Sequence, residues 1–381
     1  MSKLLGLFIV IASLTLCGCE VSPLGPTPTL LRPTATPTSQ PPTATTSPSP
    51  IPSPTKPPKV SGPLLIEGQQ AQRLMGGPAR GDVFYAYSPS GLYRTVDGGT
   101  SWQLVTGQLA EESFIVSPSH PEILYSGEGY PCYRGGPEVP MFKSTDGGTS
   151  RFELEGGTNL KPVVVHPDNP NMVYGIGCDG PYLTGDGGQI WEHQPSDIFL
   201  VYDVLKILPA SRDWQIVYLG GASEGGAGAL VKTADGGQTW QSVTGELSEL
   251  WWISALAVDP ADPDRIYFTE PHGFWRSEDG GATWQSSMAG LEDVVYHESG
   301  PLEQTYGLQA IAIDPLDSDK LYLGTIRGLY VSDDQGANWR KIRGEEWEDE
   351  EIEDLKAIDD EGTKLYITIA RGVFTFYPGS K

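Results

Sequence analysis

The sequence predicts an all-β fold, and three observations support this prediction. Glycine (47 residues) and proline (33 residues) are abundant in the chain of 381 residues, which is typical of a protein with many tight turns. The apolar residues stand in short runs that are rich in valine, isoleucine and tyrosine, as in strands. A tyrosine-containing run and a glycine-rich octapeptide also recur together along the chain, which indicates that one small unit is built several times.

The octapeptide is the clearest repeated feature. It reads SEDGGATW at residues 277–284, and similar segments begin at residues 95, 144, 184, 233 and 332. Its glycine pair supplies the positive φ angles of a tight hairpin turn, and its aspartate can accept hydrogen bonds from turn amides. A phosphate loop would need a lysine after the glycines, and a calcium loop would need a closing glutamate. We therefore expect six structural aspartates: Asp97, Asp146, Asp186, Asp235, Asp279 and Asp334.

The full repeat predicts a seven-bladed β-propeller with four-stranded antiparallel blades. Strand A precedes a turn such as DPADPD, strand B carries the tyrosine, strand C precedes the octapeptide, and strand D follows it. A seventh tyrosine unit has strands A (355–358), B (364–369) and C (372–377) but no octapeptide. We expect the segment PLLIE at 63–67 to supply its fourth strand, so that an N-terminal strand closes the ring in the last blade.

The octapeptide resembles the Asp-box, or BNR repeat, S/T-x-D-x-G-x-T-W, and the resemblance covers residues 70 to 377. Arg151 replaces the tryptophan in the second copy, and Gln335 and Asn338 alter the sixth. Proteins with this repeat include sialidases, xyloglucanases, sortilin receptor ectodomains and photosystem II assembly factors. The resemblance thus implies a propeller and does not select one activity.

The N-terminal residues are expected to lie outside the propeller. Residues 1–18 resemble a bacterial lipoprotein signal peptide, because Leu16 and Gly18 stand at the −3 and −1 positions before Cys19. Cys19 would then carry the lipid; a signal peptide cut elsewhere and an uncleaved anchor are the alternatives. Residues 19–62, dominated by proline, threonine and serine, are expected to form a disordered stalk. The propeller is assigned to residues 63–381, exposed outside the cytoplasm on a bacterial membrane.

Charge and cysteine content restrict the partners. The net charge of −24 disfavours nucleic acid and anionic lipid surfaces, so we expect membrane attachment through the lipid alone. Cys132 and Cys178 lie in B–C loops of adjacent blades and are expected to form a disulfide in an oxidising compartment, two free thiols being the alternative. The turns at 259–264 and 314–319 could bind Ca²⁺, but turn chemistry explains their aspartates as well. We expect a monomer without cofactor or metal.

Candidate ligand-binding residues come from the irregular segments. B–C loops and D–A linkers share the top face of a propeller, opposite the octapeptide turns. Exposed aromatic rings there could stack on sugars, although packing under their own loops or between blades is the alternative reading. The candidates are Tyr130, Tyr133, Trp251, Trp252, Tyr296, His297, Tyr306 and Trp347.

These features favour a binding module for a protein or a glycan over an enzyme, and we assign no catalytic residue. The alternative is a sialidase- or xyloglucanase-like glycoside hydrolase that uses two top-face carboxylates. Glu128 with Asp179, and Glu270 with Glu298, are examples of possible pairs. Sialidase activity would need an arginine cluster, and the top-face arginines are limited to Arg134, Arg327, Arg371 and Arg343.

Overall fold

The computed structural model divides the chain into two compact units, Met1–Thr55 and Lys56–Lys381. The structure describes parts of the second unit only: residues 61–75, 83–105, 114–128, 138–194, 201–210, 214–223, 228–245, 247, 250, 252–270, 273–294, 307–343 and 345–379. For residues 201–206, 222 and 223, it describes the backbone alone. The signal peptide, Cys19 and most of the predicted stalk fall outside these ranges. Within the described ranges, no helix has the length and apolar character needed to cross a membrane.

The described residues form only strands and turns, and the predicted seven-bladed β-propeller is confirmed. Three short strands come first: β1 (Gly62–Pro63), β2 (Leu65–Ile66) and β3 (Gln69–Gln70). Blades one to four follow in chain order, and each is a four-stranded antiparallel sheet. Their strands are β4 (Arg73–Met75), β5 (Phe84–Ser88), β6 (Gly91–Thr95) and β7 (Gln103–Leu104); β8 (Phe114–Val116), β9 (Leu124–Ser126), β10 (Met141–Ser144) and β11 (Phe152–Leu154); β12 (Lys161–Val165), β13 (Val173–Gly177), β14 (Gly180–Thr184) and β15 (Glu192–His193); and β16 (Val201–Pro209), β17 (Val217–Ser223), β18 (Gly228–Thr233) and β19 (Gln241–Ser242).

Blades five to seven complete the ring. Blade seven contributes three strands and receives its fourth from the N-terminal side of the unit, because β1 pairs antiparallel with β30. The strands are β20 (Ala255–Asp259), β21 (Asp262–Glu270), β22 (Gly273–Ser277) and β23 (Gln285–Ser286); β24 (Leu308–Asp314), β25 (Asp317–Thr325), β26 (Gly328–Ser332) and β27 (Arg340–Lys341); and β28 (Asp354–Asp359), β29 (Thr363–Ile369) and β30 (Gly372–Phe376).

Ring closure is confirmed, but its predicted bounds were wrong. The closing strand is Gly62–Pro63, whereas Leu65 and Ile66 pair with Gln70 and Gln69 in a separate hairpin. Glu67 (φ 49°) and Gly68 (φ 78°) form the two-residue turn of that hairpin. Two successive positive φ angles produce a turn that matches the strand twist, and glycine at the second position favours it. The chain therefore leaves the outer edge of blade seven one residue after the strand and turns back toward blade one.

The core consists of seven apolar layers, one between each pair of adjacent blades. Strand residues alternate between the two faces of a blade. Ile266 and Phe268 of β21 thus pack toward blade four, whereas Tyr267 between them packs toward blade six. Because both faces of each blade are apolar, no blade can bury its own surface without two neighbours.

The repeated tyrosine of the second strand connects neighbouring blades. In three blades its hydroxyl donates a hydrogen bond to a proline carbonyl in the A–B turn of the following blade. In blades three and five, the hydroxyls of Tyr174 and Tyr267 have no hydrogen-bond partner among the described residues. The three bonded pairs are Tyr85 with Pro121 at 3.0 Å, Tyr125 with Pro170 at 2.8 Å and Tyr218 with Pro263 at 3.1 Å.

These two classes of tyrosine give a matched test of the contact between blades. Tyr125→Phe removes one partner of a buried hydrogen bond, and we expect it to lower the free energy of unfolding by about 1 kcal/mol. Tyr267→Phe removes a hydroxyl that makes no bond, so it should have little effect or stabilise the fold slightly. Urea unfolding of the two variants and the parent measures the difference. Equal destabilisation by both substitutions would contradict a role for the inter-blade hydrogen bond.

Candidate functional site

The six octapeptide turns lie between the third and fourth strands of blades one to six. Each aspartate accepts a hydrogen bond from the hydroxyl two residues earlier (2.7–2.9 Å) and from the backbone N–H four residues later (2.8–3.0 Å). That hydroxyl oxygen in turn accepts a bond from the N–H of the residue at the second glycine position. In five turns, all except that of Asp186, the side chain four residues later also donates to the second carboxylate oxygen.

This bonding leaves the turn carboxylates little capacity for a ligand. In the turn of blade five, Thr283 donates to Asp279 Oδ1 through its N–H and to Oδ2 through its hydroxyl, while Ser277 donates to Oδ1. Gly280 (φ 71°) and Gly281 (φ 90°) have the positive φ angles expected from the sequence. In the sixth turn, Gln335 stands at the first glycine position with a φ angle of 58°. Its side-chain amide donates a hydrogen bond to Asp319 Oδ1 at 2.7 Å.

The aspartate-rich A–B turns also direct their carboxylates at protein donors. Asp259 accepts bonds from the backbone N–H of Ala261, from Arg265 at 3.1 Å, and from Ser318 of the next blade at 3.0 Å. Asp314 accepts hydrogen bonds from the hydroxyl groups of Tyr322 and of Thr363 in blade seven. No cluster of three or more potential metal ligands is found among the described residues. These carboxylates therefore join blades, as turn chemistry predicts.

The top face is formed by the B–C turns and D–A linkers, and it holds a second set of carboxylates. Four of them are paired with an aromatic residue at the third position of strand β6, β14, β22 or β26. The aromatic hydroxyl or indole N–H donates to the carboxylate and sets its orientation. The pairs are Tyr93 with Glu67 (2.8 Å), Tyr182 with Asp179 (2.8 Å), Trp275 with Glu270 (3.4 Å) and Tyr330 with Asp293 (3.0 Å).

Sequence reasoning did not find this aromatic–carboxylate set, although a signal was present. Each of the four strands starts with glycine and has tyrosine or tryptophan two residues later. The segments are Gly-Leu-Tyr at 91–93, Gly-Pro-Tyr at 180–182, Gly-Phe-Trp at 273–275 and Gly-Leu-Tyr at 328–330. The acidic partners are Glu67 in the hairpin before blade one, Asp179 in a B–C turn, Glu270 at the end of strand β21 and Asp293 in a D–A linker. They have no common spacing from the aromatic residue, so only the fold could pair them.

The Asp179 group is exposed, with 63% of the Asp179 side chain accessible to solvent. The carboxylate of Asp179 accepts from Tyr182, and its backbone carbonyl lies 2.9 Å from His193 Nε2. The rings of Tyr182 and His193 are 4.9 Å apart. Burial and the neighbouring carboxylate together raise the pKa of Tyr182 to about 12, so its hydroxyl remains a hydrogen-bond donor at neutral pH. Glu128, the suggested partner of Asp179, is exposed.

Glu270 differs from the other members because it is buried, with 6% of its surface exposed. Trp275 donates to its Oε1 atom, and among the described residues Oε2 has no hydrogen-bond partner. A buried carboxylate oxygen without a donor is costly. This oxygen is itself buried, so a water molecule or a ligand hydroxyl can reach it only if the neighbouring side chains move. Glu298, suggested as its partner, lies outside the described residues.

The predicted ligand-binding residues are placed only in part. Trp252, in the linker between blades four and five, is half-buried. Trp347 is 1% exposed and packs edge-on against Phe376 at 5.4 Å, in the layer between blades six and seven. This burial corrects the assignment of Trp347 to the ligand-binding set. Six candidates lie outside the described residues: Tyr130, Tyr133, Trp251, Tyr296, His297 and Tyr306.

The remaining top-face features are the cysteines and the arginines. Cys178 is disulfide-bonded; Cys132 lies outside the described residues, so the pairing of the two remains a prediction. Arg343 pairs with Glu348 at 3.3 Å, and Arg371 pairs with Glu350 at 3.2 Å. Both arginines thus neutralise carboxylates of the acidic linker into blade seven. Arg134 also lies outside the described residues, and no arginine cluster for an anionic sugar is found among the described ones.

Comparisons with known proteins identify xyloglucanases and YCF48 as similar. No family model matches the chain. The oligoxyloglucan-reducing end-specific xyloglucanase of Emericella nidulans is 31% identical over 301 residues, covering 64% of this chain and 35% of that protein. The chain spans about a third or less of the length of the curated relatives it matches.

Two solved structures show the same fold. The GH74 xyloglucanase of Xanthomonas campestris matches with a TM-score of 0.59 and 18% identity, covering 84% of this chain and 53% of that one. YCF48 of Cyanidioschyzon merolae matches with a TM-score of 0.56 and 18% identity, covering 85% of this chain and all of that one. At these identities the likeness concerns the propeller fold alone.

The octapeptide turns predict how stability depends on pH. Bonds from Thr283 and Ser277 lower the pKa of Asp279 to about 2, from an unfolded value of about 3.9. The pKa values of the other five turn aspartates are lowered too. Because the folded pKa is the lower one, these carboxylates stabilise the fold above about pH 4, and this stability is lost as pH falls toward 2.

We therefore expect Asp279→Asn to lower the melting temperature at pH 7, with a difference from the parent that shrinks as pH approaches 2. The neighbouring exposed residue provides the control, because Glu278→Gln removes one negative charge and leaves the turn bonds intact. Thermal unfolding followed by circular dichroism between pH 2 and 7 measures both variants. A constant difference across this range would show that the Asp279 charge does not stabilise the turn.

Proposed function

We propose that this chain is a glycan-binding β-propeller held on the outside of a bacterial membrane by a lipid on Cys19. The predicted stalk, residues 19–62, would raise the propeller above the membrane surface. The disulfide-bonded state of Cys178 supports an oxidising compartment. The ligand binds across the top face, where the irregular segments lie.

One observation carries the proposal: four top-face carboxylates are held in fixed orientations by aromatic donors. A fixed carboxylate accepts hydrogen bonds from sugar hydroxyls without a further loss of side-chain entropy on binding. Asp179 with Tyr182 is exposed, and Trp252 is half-buried, so an acceptor and a flat apolar ring belong to the same face. An acidic face disfavours anionic sugars. A neutral glycan is therefore the expected ligand class.

Xyloglucan is the first ligand to test, because the curated relatives carry its name. We expect the full-length chain in detergent micelles to bind xyloglucan oligosaccharides, as measured by isothermal titration calorimetry. Trp252→Ala should weaken this binding at least tenfold through loss of ring stacking. Phe152→Ala is the matched control, because Phe152 is an exposed aromatic residue, 50% accessible, on the outer strand β11 of blade two. Equal affinity for the parent and Trp252→Ala would contradict binding at this part of the top face.

Glycoside hydrolysis is the second candidate, and the 31% identity to a xyloglucanase favours it. Incubation of the full-length chain with the same oligosaccharides, followed by assay of reducing ends, distinguishes the two functions. The binding proposal predicts no turnover. Turnover that is abolished by Asp179→Asn or Glu270→Gln, in variants with the parent's melting temperature, would replace it with a hydrolase using these carboxylates.

A further inference from the structure

The tryptophan that ends the octapeptide fills the gap to the preceding blade. In blade six, the ring of Trp339 packs edge-on against Phe274 of blade five at 5.0 Å. In blade five, Trp284 donates its indole N–H to the carbonyl of Val243 in blade four at 2.7 Å. Three more such tryptophans pack in the corresponding layers: Trp102, Trp191 and Trp240.

Blade seven has no such tryptophan, because β1 replaces the strand that an octapeptide would precede. Gly62 pairs with Thr375 as Gln285 pairs with Arg276, at the fourth position of strands β30 and β22. The residue before Gly62 is therefore equivalent to Trp284. It is Ser61, whose hydroxyl oxygen accepts a bond from the N–H of Tyr377 at 3.3 Å. The layer between blades six and seven consequently lacks the octapeptide indole, and among the described residues its one indole is that of Trp347, which packs against Phe376.

A groove of about 270 Å³ is present at this position, between blades six and seven. Val331, Ile342 and Phe376 form apolar parts of its wall, and Tyr377 lies beside them. An apolar cavity of about 150 Å³ can hold a benzene ring, so the groove has room for one aromatic side chain. We call it the blade six–seven groove.

Four basic side chains line the rim of the blade six–seven groove, although the protein is acidic overall. Lys320, Arg340, Lys341 and Arg343 line the groove together with one acid, Glu345. The chain as a whole has 25 basic and 49 acidic side chains.

The rim cations already have acidic partners, but these partners can be exchanged. Lys320 and Arg340 pair with Asp333, at 3.7 and 3.1 Å, Lys341 pairs with Asp349, and Arg343 pairs with Glu348. The side chains of Asp333 and Arg340 are 57% and 64% exposed. Exposed ion pairs contribute only about 0–1 kcal/mol, so a bound carboxylate can replace Asp333 at little cost.

We propose that the blade six–seven groove binds an acidic segment of a partner protein through one aromatic side chain. The aromatic ring takes the place that the octapeptide tryptophan occupies in other interfaces. Flanking carboxylates pair with Arg340 and Arg343. This site is on the outer wall of the ring and does not depend on glycan binding at the top face.

A fluorescein-labelled pentapeptide with a central tryptophan and two glutamates on each side is the probe. We expect the full-length chain to raise its fluorescence anisotropy, with affinity that falls as salt is added. Replacing the central tryptophan by alanine, or the four glutamates by lysines, should weaken binding at least tenfold. Absence of binding by the acidic tryptophan probe, or equal binding of all three peptides, would overturn the proposal.

Substitution of Ser61 tests whether the groove is the binding site. Ser61→Trp supplies the missing indole from within the chain, so it should raise the melting temperature and weaken probe binding at least tenfold. Arg151→Trp is the matched control, because it restores the octapeptide tryptophan of blade two and leaves the groove unchanged. Unchanged probe affinity in folded Ser61→Trp would place the site elsewhere.

A charge variant keeps the test valid if Ser61→Trp does not fold. Arg340→Glu places a like charge at the rim and should weaken binding of the acidic probe at least fivefold. Arg371→Glu makes the same charge change at an arginine that pairs with Glu350 and does not line the groove. Equal loss of affinity in both variants would mean that net charge, and not the blade six–seven groove, determines binding.

Discussion

The fold depends on one constraint: every blade has two apolar faces, and only its neighbours can cover them. The seven core layers follow from this, since each joins residues of two adjacent blades. A linear array would leave two faces in water at its ends, at a cost of roughly 25 cal/mol for each Å² of apolar area. Closure by β1 removes these ends, because the N-terminal side of the unit holds the last blade against the first.

The carboxylates of the turns are hydrogen-bonded to other groups of the scaffold, so the structural carboxylates differ from those that could bind a ligand. The octapeptide carboxylates receive their hydrogen bonds from donors within the same turn, and the A–B turn carboxylates receive theirs from the same or an adjacent blade. Four top-face carboxylates are instead held by an aromatic donor, and three of them, Glu67, Asp179 and Asp293, are exposed and keep acceptor capacity toward solvent. Ligand chemistry is therefore concentrated on the face opposite the octapeptide turns.

Departures from the repeat mark the places where the molecule differs from a uniform ring. The seventh octapeptide is missing because the chain closes the ring with an N-terminal strand, and Ser61 then stands where five of the other six blades have tryptophan. Gln335 keeps a positive φ angle in place of glycine and gains a side-chain bond to Asp319. The first departure opens the blade six–seven groove, whereas the second is compensated within the turn. A broken repeat thus produces a cavity only where no local contact replaces the missing side chain.

The number of blades and the geometry of the octapeptide turns were determined by the sequence alone, because the chain repeats one unit seven times and each turn depends on interactions within a few residues. A hydroxyl, a carboxylate and two glycines in eight residues specify a turn without help from the rest of the chain. The tertiary structure decided the bounds of β1, the burial of Trp347 and the pairing of Tyr93 with Glu67. These features depend on which surface a neighbouring blade presents, and residues far apart in sequence, such as Gly62 and Thr375, supply that surface.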